Sequence, residues 1–256
     1  YYRIIPYGPW NGAIHQMGYL IDTHFHLDHY KNYKELATQI NALQQYTICV
    51  TNSPGVFHSC KNLISESKYL KFAIGFHPQE KALANRDLYD FMRLIDETNY
   101  VGEIGIDLSS RSYRNEAAQI ESFEQIVKTC AIKNKLMTVH IRRAEEQALR
   151  IITKYSPSKC IIHWFTGTAE QLQQLIEAGC YFSVNANMIT GKSNHKYLSI
   201  PLDRLLVESD GPYTRVKGKR YTPALLQEAY SQIAQFYNDP DFILHVYNNF
   251  KLLLSS

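Results

Sequence analysis

Eight short apolar runs, each suited to a buried strand, recur along the chain from residue 19 onward and restrict what it can fold into. They are Tyr19–His26, Thr47–Asn52, Phe72–Pro78, Val101–Asp107, Met137–His140, Cys160–Trp164, Tyr181–Asn185 and Leu205–Asp210. Helical periodicity fills most of the gaps, at Tyr33–Gln44, Arg86–Glu97, Ala117–Asn134, Ala144–Tyr155 and Ala169–Ala178, with a final helix at about Pro223–Phe236. Leu172, Leu175 and Ile176, for example, have the i, i+3, i+4 spacing of a buried helix face. Alternating strands and helices imply parallel βαβ units. Continuously apolar strands imply burial on both faces. Eight such units in 256 residues suit an α/β protein of the (β/α)8 TIM-barrel type. Periodicity by itself leaves an open parallel sheet as the alternative. The barrel would occupy residues 19–256 as one domain, behind an irregular extension, 1–18, rich in Tyr, Gly and Pro.

Composition excludes several classes. A 45% hydrophobic share with 20% charged residues is that of a globular chain able to bury a sizeable core. The net charge of +3 permits an anionic substrate without arguing for one. Five cysteines, an odd count with no C-x-x-C, speak against a disulfide framework or a zinc knuckle. They suit a reducing, cytoplasmic setting. No apolar run approaches the length of about 18 residues that a membrane span needs, and no signal-peptide layout is present, so no membrane partner is expected.

In a barrel of this kind the functional site lies where strands end and the following loops begin. The first run ends in His24-Phe-His26, and alternate residues of a strand point to one side, so both imidazoles can face one point. Further runs end in Gly75-Phe-His77-Pro78, Gly102-Glu103-Ile-Gly105-Ile-Asp107, His140 followed by Arg142, His163-Trp164, and Glu208-Ser-Asp210-Gly-Pro212-Tyr213. Five of ten histidines thus fall at strand ends. Any one of them could be a satisfied rim histidine. Together with Glu and Asp at one barrel mouth, they are costly to bury unless a cation shares the site. A nitrogen and oxygen ligand set without sulfur suits Zn²⁺, Mn²⁺, Co²⁺, Ni²⁺ or Mg²⁺. Six candidate ligands exceed the needs of one open tetrahedral ion, whereas two ions sharing a bridging carboxylate would use them all.

These motifs, from about Leu20 to Leu254, resemble those of the TatD-like metal-dependent deoxyribonucleases, a branch of the amidohydrolase-type barrels. Ile21-Asp-Thr-His-Phe-His-Leu-Asp28 looks like the opening motif of that family, His140-Ile-Arg142-Arg-Ala144 like its H-x-R-x-A, and His163-Trp-Phe-Thr-Gly167 like its H-x-F-x-G. Gln119 and Phe123 fit the helix after its acidic motif, whereas Tyr221-Thr-Pro223 departs from its usual Asn-Glu-Pro segment. The resemblance implies two divalent metal ions (Mg, Mn or Zn) held by His24, His26, Glu103, His140, His163 and Asp210, with Glu103 bridging. It further implies that His77 faces the scissile phosphate and that Glu208 supports Asp210. It implies hydrolysis of DNA, often as a 3′-5′ exonuclease on single-stranded ends, by a metal-activated hydroxide.

On this reading Asp210, Glu103, His77 and Glu208 are the catalytic groups. Arg142, Arg111, Arg114, Arg215, Lys217 and Lys219 are the expected substrate contacts, and Tyr113, Tyr213 and Tyr221 could stack on unpaired bases. Two rivals stand beside it. One is an amidohydrolase-type enzyme for a small non-nucleic substrate. The other is a subunit using the barrel to bind protein partners, with residues 1–18 as a docking arm, because TatD-like proteins also occur in multi-gene systems, anti-phage ones included.

Overall fold

Apolar, β-branched and aromatic residues of the eight runs form the strands of a parallel sheet system. The structure is a computed structural model that describes residues 19–256 apart from 82, 110–113 and 192–193. The expected extension, Arg111 and Tyr113 lie outside the described residues. The strands are β1 (Ile21–Phe25), β2 (Tyr46–Cys49), β3 (Leu70–Phe72), β4 (Ile74–Phe76), β5 (Tyr100–Asp107), β6 (Leu136–Arg142), β7 (Cys160–His163), β8 (Tyr181–Val184) and β9 (Leu205–Val207). They pair in parallel, as β1-β2-β3 and β4-β5-β6-β7-β8-β9. A short antiparallel hairpin, β10 (Arg215–Val216) and β11 (Lys219–Arg220), follows. Backbone hydrogen bonds from Asp210 N–H to His24 O (2.8 Å) and from His26 N–H to Gly211 O (3.0 Å) join the segment after β9 to β1. Asp22 reinforces this seam by accepting from Ser209 N–H at 2.8 Å and from the Tyr221 hydroxyl at 3.2 Å. The architecture is that of a TIM barrel.

The third expected strand is interrupted. It begins at Leu70 and breaks at Ala73 into β3 and β4. Beyond the break, Thr51, in the loop after β2, exchanges backbone hydrogen bonds with Gly102 and Glu103 of β5. Its hydroxyl donates to Ala73 O (2.9 Å) and accepts from Gly75 N–H (3.1 Å), which repairs the ladder across the gap. Gly75 has no alternative there, since a Cβ at that position would lie 1.5 Å from Thr51 O.

Helices cover the strands: α1 (Tyr33–Ala42), α2 (Pro54–Leu63), α3 (Asn85–Leu94), α4 (Glu116–Lys133), α5 (Glu145–Tyr155), α6 (Ala169–Glu177), α7 (Ala186–Thr190), α8 (Leu226–Tyr237) and α9 (Phe242–Ser255). The helix expected to be final is followed by another. After Asn238 leaves α8 in a left-handed conformation (φ 50°), α9 buries Phe242, Val246, Phe250 and Leu253. Helices α2 and α7 are also additional to the expected set. Ser53 caps α2 by accepting Val56 N–H, with Pro54 in its first turn. No helix among the described residues is long and apolar enough to cross a membrane, and all five cysteines are buried and free of disulfides.

Replacing Thr51 by Val keeps its shape and removes both bonds across the break, leaving Ala73 O and Gly75 N–H unpaired in the core. A loss of about 1–3 kcal/mol is expected, with Thr51→Ser much milder. Urea denaturation followed by circular dichroism measures it, and equal stability of the Val and wild-type proteins would show that the bridge is idle.

Candidate metal centre

Strand register brings the polar strand ends together. His140 pairs with Gly105 on one side and with His163 on the other, so the ends of β5, β6 and β7 meet at one level. β1 delivers His24 and His26 from across the barrel, both almost fully buried. At the centre is Glu103, 3% exposed.

The two oxygens of Glu103 face different groups. Oε2 lies 3.4 Å from His24 Nε2 and 3.3 Å from His26 Nε2. Those nitrogens are 3.3 Å apart, and Asp210 Oδ1 is 3.7 and 3.5 Å from them. Oε1 lies 3.3 Å from His77 Nε2, 2.9 Å from His140 Nδ1 and 3.6 Å from His163 Nε2. Four donors held about 2.1 Å from one ion in a tetrahedral array are about 3.4 Å from one another. His24 Nε2, His26 Nε2 and Glu103 Oε2 lie at this edge length from one another, and Asp210 Oδ1 stands close to it from both nitrogens, so the residues present fit a divalent cation. The Oε1 side offers a second set that shares the same carboxylate.

Outer partners orient the imidazoles. His24 Nδ1 lies 2.8 Å from Thr138 Oγ1, His140 Nε2 lies 3.0 Å from Asp107 Oδ2, and His163 Nδ1 lies 2.9 Å from Glu208 Oε2. Each partner engages the ring nitrogen turned away from Glu103, leaving the other to present its lone pair to a cation. His77 differs. Its Nδ1 accepts the Gln79 backbone N–H at 3.1 Å, so in the neutral ring the proton is on Nε2, the atom that faces Glu103. His77 is therefore arranged as a hydrogen-bond donor, unlike His140 and His163, whose far nitrogens face carboxylates.

Electrostatics of the cation-free cluster follow. Burial pushes Glu103 up, but His77, His24 and the bond from His140 outweigh it and hold the carboxyl well below its usual range. Burial takes His24 down to about 3, so it is a neutral base. Burial likewise opposes a charge on His140 and His163, but Asp107 and Glu103 raise the first to about 9, and Glu208 raises the second to about 10. Burial lifts Asp210 to about 7 against the pull of His163 and His26.

A pocket of about 480 Å³ opens over the cluster, and His26, His77, Glu103, His140, His163, Asp210 and Arg142 line it. Glu208, expected among the catalytic groups, does not line it. It is fully buried behind His163, and Ser183 and Asn185 bind it as well. The expected substrate contacts separate. Arg142 is exposed at the pocket. Arg114 instead turns inward over the Phe76 ring (4.9 Å) and donates to Ser122 Oγ and Ala118 O. Arg215 donates to Gly218 O within its hairpin, Lys217 pairs with Glu228 at 2.8 Å, and Lys219 is exposed on β11, away from the pocket lining. Tyr221, expected to stack on bases, is buried against Phe25 and Tyr30. Sequence reasoning did not single out Thr138 or assign a role to Asp107. Asp107 stood within a quoted motif, whereas a strand threonine carries no signal of its own.

The family model described as "TatD related DNase" matches residues 21–255. Among curated relatives, "Uncharacterized metal-dependent hydrolase YcfH" of Escherichia coli K12 is 29% identical over 239 residues, covering 84% of this chain and 87% of that protein. "Deoxyribonuclease Tat-D" of Schizosaccharomyces pombe is 27% identical over 173 residues, which cover 66% of this chain and 53% of that protein. The crystal structure of YJJV, a TatD homologue from E. coli, superposes with a TM-score of 0.81 at 20% identity, over 91% of this chain and 97% of that one.

A group whose pKa is higher in the folded than in the unfolded chain contributes stability that is complete below its unfolded value and is lost as pH rises through the folded one. For His140 and His163 that loss runs from 6.5 up through about 9 and 10. Chelator-treated protein should therefore lose thermal stability between about pH 7 and about pH 9.5. A saturating divalent cation, taking the place of those protons, should raise the melting temperature and flatten the profile. Identical profiles with and without chelator would exclude cation binding at this cluster.

Proposed function

The chain belongs to the TatD-related DNase family of metal-dependent hydrolases, and from that premise we propose that it hydrolyses phosphodiester bonds of DNA, acting as a 3′-5′ exonuclease on single-stranded ends. The observation that carries the reading is the two-sided surrounding of Glu103. His24, His26, Asp210 and one oxygen of Glu103 would hold one divalent ion. The other oxygen, with His140 and His163, would hold a second. When bound, such ions neutralise phosphate charge and lower the pKa of water from about 15.7 to about 7.

The remaining work falls to side chains. Asp210, which lines the pocket beside His24 and His26, takes the proton of the attacking water. His77 donates from Nε2 to a phosphate oxygen, the role its tautomer allows. Arg142 lines the same pocket and pairs with the phosphate charge. Glu208, Asp107 and Thr138 keep the imidazoles in register, and their loss lowers metal affinity rather than removing a reacting group.

One observation favours a second reading, hydrolysis of a small non-nucleic substrate at the same ions. Among the described basic residues expected to contact substrate, Arg142 alone lines the pocket, and Glu80 lines it too.

A nuclease assay separates the readings. With 5′-labelled single-stranded DNA and Mg²⁺, Mn²⁺ or Zn²⁺, shortening from the 3′ end is expected, abolished by EDTA. Asp210→Asn should lower kcat about 10²–10⁴-fold. Absence of DNA cleavage by metal-loaded protein that hydrolyses small esters or amides would replace the first reading with the second. In a separate measurement, Glu208→Gln should weaken metal binding about 10–100-fold, read by competition with a metallochromic dye. Unchanged affinity would show that Glu208 does not orient His163.

A further inference from the structure

Two aromatic side chains at the pocket lie outside the ligand set, and each touches a different half of it. Trp164, directly after β7, stands edge-on to the His163 imidazole, with ring centres 6.3 Å apart at 85°. Tyr213, in the loop after β9, stands edge-on to His26 at 5.5 Å and 84°. His163 faces Glu103 Oε1, and His26 faces Glu103 Oε2. Both aromatics line the pocket.

Tyr213 is not placed as a core side chain would be, and Trp164, partly buried against the core, also lines the pocket. Tyr213 is 58% exposed, yet it is held: its hydroxyl lies 2.8 Å from His29 Nδ1, and His29 stacks on His26 with ring centres 4.7 Å apart at 5°. Trp164 has a φ of 36°, a conformation that bulky residues rarely adopt, so its surroundings dictate its position. Tyr221 is buried, so among the described tyrosines expected to stack on bases only Tyr213 reaches the pocket.

We infer that Trp164 and Tyr213 are nucleobase platforms, one for each nucleoside flanking the scissile phosphate, so that the site grips the last two bases of an unpaired strand. The inference rests on the phosphodiesterase reading. A phosphate centred over Glu103 carries one nucleoside towards each half of the cluster, and each half ends in one aromatic face. Stacking of this kind tolerates any base and requires that the base be unpaired. It gives a reason for action at single-stranded ends that does not depend on the basic loop residues turned away from the pocket.

The test combines substrate and protein changes. Oligonucleotides with an abasic residue at the terminal or at the penultimate 3′ position are compared with the intact strand. Wild-type protein should show KM raised about 5–150-fold by either lesion, the range for one lost stacked base. In Tyr213→Leu one of the two penalties should vanish, and in Trp164→Leu the other. Tyr213→Phe, which keeps the ring and loses the hydroxyl contact to His29, should retain both penalties, and circular dichroism checks that the Trp164 variant folds. Persistence of both penalties in both leucine variants, loss of both in one variant, or no penalty in the wild type would overturn the inference while leaving the nuclease reading intact. Failure of the wild type to cleave the intact strand would overturn both.

Discussion

Glu103 is a carboxylate taken out of water and surrounded by imidazoles from four strands. A lone buried anion of this kind would be untenable, and a lone buried histidine would stay neutral and seek a hydrogen bond. Each is stable here because of the others: His24, His26, His77, His140 and His163 all approach the carboxylate within 3.6 Å. Removing the one acid would leave five imidazoles without their common partner. The burial of this end of the barrel depends on that shared charge, and protons or cations can supply its positive counterpart.

Parallel register turns this requirement into geometry. Strands that pair in parallel place equivalent ends at the same level, which is why His140 of β6 stands level with His163 of β7 and with Gly105 of β5, two residues beyond Glu103. Behind them stands an outer layer. Asp107 and Glu208 share charge with His140 and His163, Thr138 orients His24, and Asp22 ties β1 to the segment that carries Asp210. The barrel seam and the candidate metal centre are thus one structure, since the bonds that join β1 to the loop after β9 also set His24 and His26 opposite Asp210.

Within the cluster the residues divide by which ring nitrogen is engaged. Rings with an outer partner on the far nitrogen are prepared to give a lone pair, and His77, which accepts a backbone N–H, is prepared to give a proton or a hydrogen bond. Identical residue types thereby acquire different roles. The aromatic rings beside His26 and His163 extend the division outward, from the two sides of Glu103 to the lining of the pocket.

Much of this was legible before any fold was known. The eight apolar runs correspond to barrel strands because fully buried strands need continuous apolar residues, and that need is written locally. So is the concentration of His, Glu and Asp at their ends. Helix α2 also had its signal in Ser53-Pro54, whereas α7 spans five residues and is too short for a period to emerge. Other features were beyond a linear reading. Glu208 and Asp210 look like neighbours on one strand face, yet β9 ends at Val207 and Asp210 takes a positive φ of 47°, so alternation no longer governs and the two carboxylates point to different places. Arg114 and Tyr221 are a surface cation and a ring in sequence, but Phe76, Ser122, Asp22 and Tyr30 draw them inward. The sequence by itself determined which strands exist and which chemistry ends them, because burial and periodicity act along the chain. Tertiary structure alone decided which groups meet, which nitrogen each imidazole presents and which charges reach the pocket, because partners from distant strands settle those choices.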